Sequence, residues 1–190
     1  MSHENVYLAG PEVFLPDAAE IGSRKKALCA EFGFVGLFPL DNVVLNAAPH
    51  ERISRLIFAG NVALMGNADL VIANLTPFRG PSADAGTVFE MGLMMGMGKL
   101  VLGYTNGTSD LLTRTRKLDH RSRFDEGMNA WVDCVGMVIE DFGQADNLMI
   151  TECLEAGGIG LVERIVAPTD LFRDLGGFRE CLRLARARLL

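Results

Sequence analysis

The sequence lacks the features of a membrane protein and of a nucleic-acid-binding protein. Lys99 interrupts the most apolar region, so no run of about 18 apolar residues occurs and no membrane span is expected. The apolar run near the N-terminus is too short for a signal peptide. A net charge of −6 argues against a nucleic-acid-binding surface. The basic residues from Arg114 to Arg123 are mixed with acidic ones, as on a solvated loop.

Cysteine and histidine are also scarce. The four cysteines form no C-x-x-C pair and the three histidines are scattered, so no metal site is predicted. Reduced and mostly buried thiols are expected, as in a cytoplasmic protein. No G-x-x-x-x-G-K-[ST] loop is present, and no G-x-G-x-x-G follows the first predicted strand. We predict no cofactor.

Short apolar runs alternate with longer segments of helical period. The runs predict strands over 5–10, 34–41, 69–75 and 99–104, and the segments between them predict helices over 17–33, 49–68 and 87–98. Asp17 is the candidate N-cap of the first helix and Gly33 ends it, whereas Pro49 lies near the start of the second. This alternation predicts an α/β fold with a parallel sheet between two layers of helices.

Parallel sheets bind ligands at the carboxyl ends of their strands, so the expected site is formed by the loops after Ala9, Leu40, Leu75 and Tyr104. The second half of the chain has a weaker pattern. Its polar region predicts an irregular segment over 105–130 with a short helix around Leu111. The remaining predictions are a fifth strand within 132–142, a helix over 147–157 and an amphipathic helix at the end of 169–190.

Glu90 is the only charged residue in the apolar stretch from Ala85 to Gly98. Glutamate is rarely buried without a partner, because ionising an unpartnered buried carboxylate is costly. Glu90 is therefore a candidate nucleophile or general base in a cleft. The alternative is that its side chain emerges at an exposed edge or caps local backbone groups.

Other residues are candidates for the same site. Asp84 lies six residues before Glu90 in a loop rich in glycine, proline and serine. It either binds substrate or caps the following helix, and the two roles are compatible. Tyr7, in the first strand, either donates a hydrogen bond to Glu90 or is a core tyrosine. Phe14, Phe78 and Phe89 are candidates for an aromatic stacking wall of the site, with core packing as the alternative.

Three segments together resemble the nucleoside 2-deoxyribosyltransferase family: YLAGPEVF (7–14), ADLVIANLTPFRGPSADAGTVFEMGLMMGMGK (68–99) and DNLMI (146–150). The most specific part is the pattern D-x-G-T-x-x-E-x-G, formed here by Asp84, Gly86, Thr87, Glu90 and Gly92. The resemblance implies a flavodoxin-like fold with a five-stranded parallel sheet flanked by helices. It implies one domain over 1–190, in which 151–190 form an extra C-terminal segment.

The same resemblance implies a reaction, the transfer of 2-deoxyribose between nucleobases of deoxynucleosides. Glu90 matches the family's nucleophile, Asp84 the residue that contacts the sugar hydroxyls, and Tyr7 the residue that hydrogen-bonds the nucleophile. Asn147 matches an asparagine that enters the neighbouring subunit's site, which implies a homodimer or a larger dimer-based oligomer. The other implied substrate-binding positions are Gly10, Phe14, Asn61 and Gly86.

The sequence departs from the family pattern at two positions. Where some members carry an aspartate that handles the base proton, this chain has Asn61, which can hydrogen-bond a base edge but cannot exchange a proton in that way. In some members the terminal carboxylate helps to form the site. Here 40 residues follow DNLMI, so we do not expect Leu190 to take that role.

Two other functions remain open from the sequence. One is a hydrolase, a nucleoside or nucleotide N-glycosidase that uses the same carboxylate and releases free base. The other is a non-catalytic nucleotide-binding module. The set of Tyr7, Asp84 and Glu90 argues against the second, since a pure binding protein does not need a buried nucleophile.

Overall fold

A parallel sheet runs through the centre of the computed structural model, which describes residues 4–42, 52–107 and 109–189. Its strands are β1 (Asn5–Ala9), β2 (Val35–Leu37), β3 (Leu70–Asn74), β4 (Leu100–Thr105) and β7 (Leu161–Glu163), in the spatial order β2-β1-β3-β4-β7. A separate antiparallel hairpin consists of β5 (Arg123–Asp125) and β6 (Ala130–Val132). The predicted five-stranded parallel sheet is thus confirmed.

Helices cover both faces of this sheet. In chain order they are α1 (Ala18–Glu31), α2 (Ile53–Asn67), α3 (Ala85–Gly96), α4 (Leu111–Leu118), α5 (Leu148–Ala156) and α6 (Gly176–Leu189). One core cluster joins the sheet to α1 and α6, and a second joins it to α2, α3 and α5. The three-layer α/β architecture is therefore as predicted. Among the described residues, none of the helices is long and apolar enough to cross a membrane.

The alternation of side chains along β1 decides where Tyr7 points. Val6 and Leu8 belong to the cluster beneath α1 and α6, whereas Tyr7 and Ala9 belong to the cluster beneath α2 and α3. Successive side chains of a strand face opposite sides of the sheet. Tyr7 consequently faces the helix that carries Glu90.

The prediction of the fifth strand within 132–142 was wrong. Val132 ends the hairpin strand β6, and the chain then turns at Gly136, where φ is +91°. The side chain of Asp133 stabilises this turn, because its Oδ1 accepts the amides of Val135 and Met137, both at 2.9 Å. The fifth strand of the sheet is β7, three residues long and paired with β4 at the sheet edge. A short, half-exposed edge strand has little apolar pattern to reveal it.

Asp17 occupies the predicted N-cap position of the first helix. α1 begins at Ala18, but the Asp17 side chain does not cap it. The Asp17 carboxylate instead forms a two-pronged ion pair with Arg173, at 2.8 and 2.9 Å. The helix ends at Glu31, and Gly33 follows it with φ of +79°, a conformation that favours glycine. For the second helix, residues 49–51 lie outside the described residues.

The second half of the chain is more ordered than the sequence suggested. α4 lies at the predicted short helix around Leu111, but the hairpin β5–β6 also occupies part of the region expected to be irregular. Both predicted helices after residue 146 are present as α5 and α6. The segment 151–190 contributes β7 to the sheet and a fully buried face of α6 to the core, consisting of Phe178, Cys181, Leu182 and Ala185.

Candidate active site

The hydroxyl of Tyr7, the middle residue of β1, meets the carboxylate of Glu90. Tyr7 Oη donates to Glu90 Oε1 at 2.7 Å, and the Tyr7 side chain is fully buried. Glu90 lies on the second turn of α3, so the strand and the helix fix the two groups from opposite sides. Of the two interpretations of Tyr7, the structure shows the hydrogen-bonded one, within the core.

The surroundings of Glu90 shift its acidity towards neutral pH. Burial raises the pKa of Glu90 to about 7, the nearby charge of Asp84 adds to this rise, and the hydrogen bond from Tyr7 opposes it. Burial and the adjacent negative charge of Glu90 raise the pKa of the Tyr7 phenol well above its ordinary value, so the phenol stays neutral and donates. A carboxylate poised near neutral pH can act as a nucleophile or a base.

Asp84 is the N-cap of α3. Its Oδ2 accepts the amide of Thr87 at 2.9 Å and the hydroxyl of Thr87 at 3.0 Å. The local sequence explains this cap, because an aspartate three residues before a threonine can accept from both groups of that threonine. Gly86 leaves room for the carboxylate, since a Cβ added at Gly86 would lie 3.1 Å from Asp84 Oδ2.

Glu90 and Asp84 line one cleft of about 300 Å³. This volume is at the lower end for a small-molecule site. Its walls come from the loop after β1, the turn after β2, the helix α2 and the start of α3. The lining residues are Gly10, Val13, Phe14, Pro39, Leu40, Ile57, Asn61, Asp84, Gly86, Thr87 and Glu90. The structure thus brings together six residues predicted from the sequence, namely Gly10, Phe14, Asn61, Asp84, Gly86 and Glu90.

Asn61 provides an unsatisfied acceptor at this site. Its Oδ1 is buried and has no hydrogen-bond partner in the described structure. Asn61 also lines a second cavity of about 310 Å³, which Glu90 shares and to which Phe58 and Phe89 contribute. Buried polar atoms in folded proteins are almost always hydrogen-bonded, so an orphan acceptor beside two cavities indicates a place for a ligand donor.

The aromatic candidates separate into two groups. Phe14 is half exposed at the cleft and stacks on Phe78, with ring centroids 5.4 Å apart and planes 11° apart. Phe172 packs edge-on against Phe78 at 5.9 Å. Phe89 instead lies near Phe58 in the second cavity. Of the three candidates, only Phe14 lines the cleft that Asp84 and Glu90 share. The packing of Phe172 on Phe78 had no signal in the sequence.

Asn147 lies away from this cleft within one chain. It caps α5, where its Oδ1 accepts the amide of Met149 at 3.0 Å, and its Nδ2 donates to Glu140 Oε1 at 2.5 Å. It lines a separate apolar groove of about 600 Å³ between α3 and α5. α3 turns Val88 and Met91 towards that groove and Gly86 and Glu90 towards the cleft.

Asp146, the neighbour of Asn147, is a functional candidate that the sequence did not reveal. Its carboxylate accepts the hydroxyl of Ser82 and the amide of Ala83, the latter at 2.9 Å, and so holds the loop that leads into Asp84. Arg114 binds the same loop through the carbonyl of Pro81 at 2.5 Å. In residues 4–42, 52–107 and 109–189, no group of three or more acidic, histidine or cysteine side chains has the arrangement of a metal site.

The sequence and the structure of this chain were compared with those of known proteins. Residues 6–149 match the model of the nucleoside 2-deoxyribosyltransferase family. A 2-deoxyribosyltransferase from Leishmania mexicana has a similar structure, with a TM-score of 0.64 and 26% identity over 98% of this chain and 99% of that one. A conserved protein from Enterococcus faecalis V583 shares the fold, with a TM-score of 0.55, 17% identity and coverage of 97% and 99%. An uncharacterized protein of Schizosaccharomyces pombe is 30% identical over 164 residues, which are 80% of this chain and 78% of that protein.

Proposed function

We propose that this chain, which belongs to the nucleoside 2-deoxyribosyltransferase family, transfers 2-deoxyribose from a deoxynucleoside to a different free nucleobase, a reaction of nucleoside salvage. The observation that carries this proposal is the carboxylate of Glu90, partly buried at a cleft and hydrogen-bonded by Tyr7 at 2.7 Å. Such an arrangement supplies a nucleophile held in one orientation at a site that a substrate can enter.

Glu90 acts as the nucleophile in two displacements. As the bond between the anomeric carbon and the base nitrogen breaks, that electron pair leaves with the base, and the sugar gains the character of an oxocarbenium ion. A Glu90 oxygen stabilises this charge and then bonds to the anomeric carbon. The second base attacks the same carbon and releases Glu90. This is the logic of retaining glycosidases, with a base replacing water. Tyr7 holds Oε1 throughout and keeps the carboxylate oriented.

Asp84 has two tasks in this proposal. Its Oδ2 caps α3 through Thr87, and we assign Oδ1 to the hydroxyls of the sugar. Asn61 binds the edge of the base through its unpartnered Oδ1. The departing base gains a proton, which Asn61 cannot supply. Asp84, which lines the same cleft, is the candidate donor, with water as the other source.

Asn147 belongs to the site of a neighbouring subunit in this proposal, and the assembly is a homodimer or a larger oligomer built on it. The groove that contains Asn147 supports this assignment. Exposed apolar side chains flank it, among them Met95, 49% exposed, and Met149, 72% exposed. Large apolar groups at a groove are typical of a surface that another protein covers.

The experiment that tests the proposal is chromatography of reaction products. The purified protein is incubated with a deoxynucleoside donor, with and without a different free base. A new deoxynucleoside that forms only with the acceptor base establishes the transferase. Free base and deoxyribose without a new nucleoside would instead establish the N-glycosidase. The absence of turnover with purine and pyrimidine donors, phosphorylated or not, would contradict both and favour a binding module.

A further inference from the structure

A buried ion pair that the proposed reaction does not use lies beside the cleft. Glu12, in the 3₁₀ turn Pro11–Phe14, contacts the ammonium of Lys25 from α1 through its Oε1. Both side chains are fully buried, which holds for no other ion pair in the described part of the chain. Removing two charges from water is costly, and an apolar pair of the same size is often equally stable or more so. Stability alone therefore does not explain this pair.

Groups from several elements surround the two charges. Glu12 Oε1 also accepts hydrogen bonds from the side-chain Nδ2 of Asn74 and from the hydroxyl of Tyr104, both at 2.9 Å. The Lys25 ammonium lies 5.6 Å from the ring centroid of Tyr104 and 5.2 Å from that of Phe178, within the range of cation–π attraction. A single carboxylate oxygen therefore links the loop after β1 to α1, β3 and β4.

The second oxygen of Glu12 packs against the back of the cleft wall. A Cβ added at Gly10 would lie 1.9 Å from Glu12 Oε2, so only glycine fits above this carboxylate. Glu12 Oε2 is buried and has no hydrogen-bond partner among the residues that the structure describes. Gly10 and Phe14, which flank Glu12 in sequence, both line the cleft. The carboxylate therefore packs against one cleft residue, Gly10, and belongs to the same 3₁₀ turn as another, Phe14.

The network continues across the carboxyl edge of the sheet. Asn74 Oδ1 accepts both the amide and the hydroxyl of Thr76, at 3.0 and 2.6 Å. The Thr76 hydroxyl in turn accepts the amide of Asn106 at 3.0 Å. Asn106 Nδ2 donates to the carbonyls of Leu171 and Asp174. The chain of bonds thus ties the loops after β1, β3 and β4 to the C-terminal segment.

We propose that Glu12 and Lys25 are a positioning pair for the deoxynucleoside. The pair fixes Gly10 and Phe14 relative to Glu90, so that the base rests on Phe14 while the anomeric carbon faces Glu90. This inference rests on the proposed function and adds two residues to it. Neither residue contacts substrate. Their effect on the reaction passes through the cleft wall, where small displacements of a bound substrate lower rates strongly.

The test compares Lys25→Met with Lys26→Met. The control residue is the next residue of α1, and its ion pair with Asp41, at 2.7 Å, is exposed, with 39% and 37% of the side chains accessible. Both changes remove an ammonium and leave a long apolar side chain. We expect Lys25→Met to raise KM for the deoxynucleoside about tenfold and to increase hydrolysis relative to transfer. We expect Lys26→Met to match the wild-type protein in both.

Glu12→Gln is the second variant, since it keeps the shape of the side chain but weakens its hold on Lys25. If Lys25→Met fails to fold, KM and the ratio of transfer to hydrolysis in Glu12→Gln test the inference. A lower Tm, with KM and the ratio of transfer to hydrolysis as in Lys26→Met, would show a purely structural pair and overturn the inference. If the wild-type protein shows no turnover, the proposed function is wrong, but the inference about Glu12 and Lys25 can still be tested. The Kd of a deoxynucleoside, measured by calorimetry, then decides the inference: a tenfold weakening in Lys25→Met or Glu12→Gln supports it, and unchanged affinity overturns it.

Discussion

Tyr7 and Glu90 are 83 residues apart in sequence, and their side chains are joined by a hydrogen bond of 2.7 Å. The tyrosine side chain is fully buried in the sheet, and the glutamate is carried by the helix above it. Two opposing influences therefore act on Glu90. Burial favours its neutral form, whereas the phenol favours its carboxylate. The balance between them determines the pH range in which Glu90 can attack a sugar.

The rate of base release should rise with pH through about 7, because the pKa of Glu90 is raised to about 7 and only its carboxylate is nucleophilic. Tyr7→Phe removes the hydrogen bond that favours the carboxylate. The rising limb of kcat/KM should therefore move to higher pH in this variant. The measurement is kcat/KM for a deoxynucleoside from roughly pH 5 to 9 in both proteins. An identical midpoint in both would exclude Tyr7 as a group that tunes Glu90.

Glu90→Gln should abolish transfer and yet stabilise the fold above neutral pH. The pKa of Glu90 is raised in the folded protein, so its contribution to stability is complete below its ordinary pKa and is lost as pH rises through about 7. Glutamine cannot ionise and avoids this loss. We expect a gain on the order of 2 kcal/mol near pH 8, and no gain near pH 4. Thermal melts at the two pH values measure it. Transfer retained by Glu90→Gln or by Glu90→Ala would refute the nucleophile.

The cap and the proposed sugar contact of Asp84 can be separated by two substitutions. Serine can replace aspartate as an N-cap, whereas alanine cannot. Asp84→Ala should therefore cost about 1 kcal/mol of stability, and Asp84→Ser only a few tenths. Both should lose most of their activity, because neither retains the carboxylate that we assign to the sugar. Chemical denaturation and kcat/KM provide the two readouts. Wild-type activity in Asp84→Ser would show that Asp84 caps α3 and does not bind the sugar.

Asn61→Ala should weaken substrate binding without weakening the fold. The Oδ1 of Asn61 is buried without a partner, so its removal sacrifices no hydrogen bond of that oxygen within the described structure. A ligand that donates to this oxygen would lose that bond in the variant. We expect KM to rise about tenfold, because one hydrogen bond contributes about 1 to 1.5 kcal/mol. The measurement is KM for the donor nucleoside beside a thermal melt. A large fall in Tm with KM unchanged would assign Asn61 to the fold.

Asn147→Ala should lower transfer activity if the residue completes the site of a neighbouring subunit. Mixed dimers of Asn147→Ala and Glu90→Ala subunits should then regain activity, because one of their two sites carries both intact residues. The measurement is transfer by verified mixed dimers against each parent. Asn147 also caps α5, so a thermal melt of Asn147→Ala is needed as the control for folding. Mixed dimers without any activity would contradict a shared site.

The sequence by itself determined the features that arise within short windows. Apolar runs and helical periods specified the first four strands and the helices between them, since each pattern reflects burial of one element. The local sequence predicted Asp84 as an N-cap, because the helix begins directly after it and Thr87 lies three residues on. Glu90 was recognisable as unusual because it is the one charged residue in an apolar segment. The motif around these two residues also indicated the family that the comparisons established.

Only the tertiary structure decided which distant groups meet. The bond between Tyr7 and Glu90, the packing of Phe172 on Phe78 and the ion pair of Glu12 with Lys25 all join separate elements. Such contacts depend on the strand order β2-β1-β3-β4-β7 and on the faces that each helix covers. The edge strand β7 escaped prediction for the same reason. Its three residues carry almost no pattern of their own, and pairing with β4 makes them a strand.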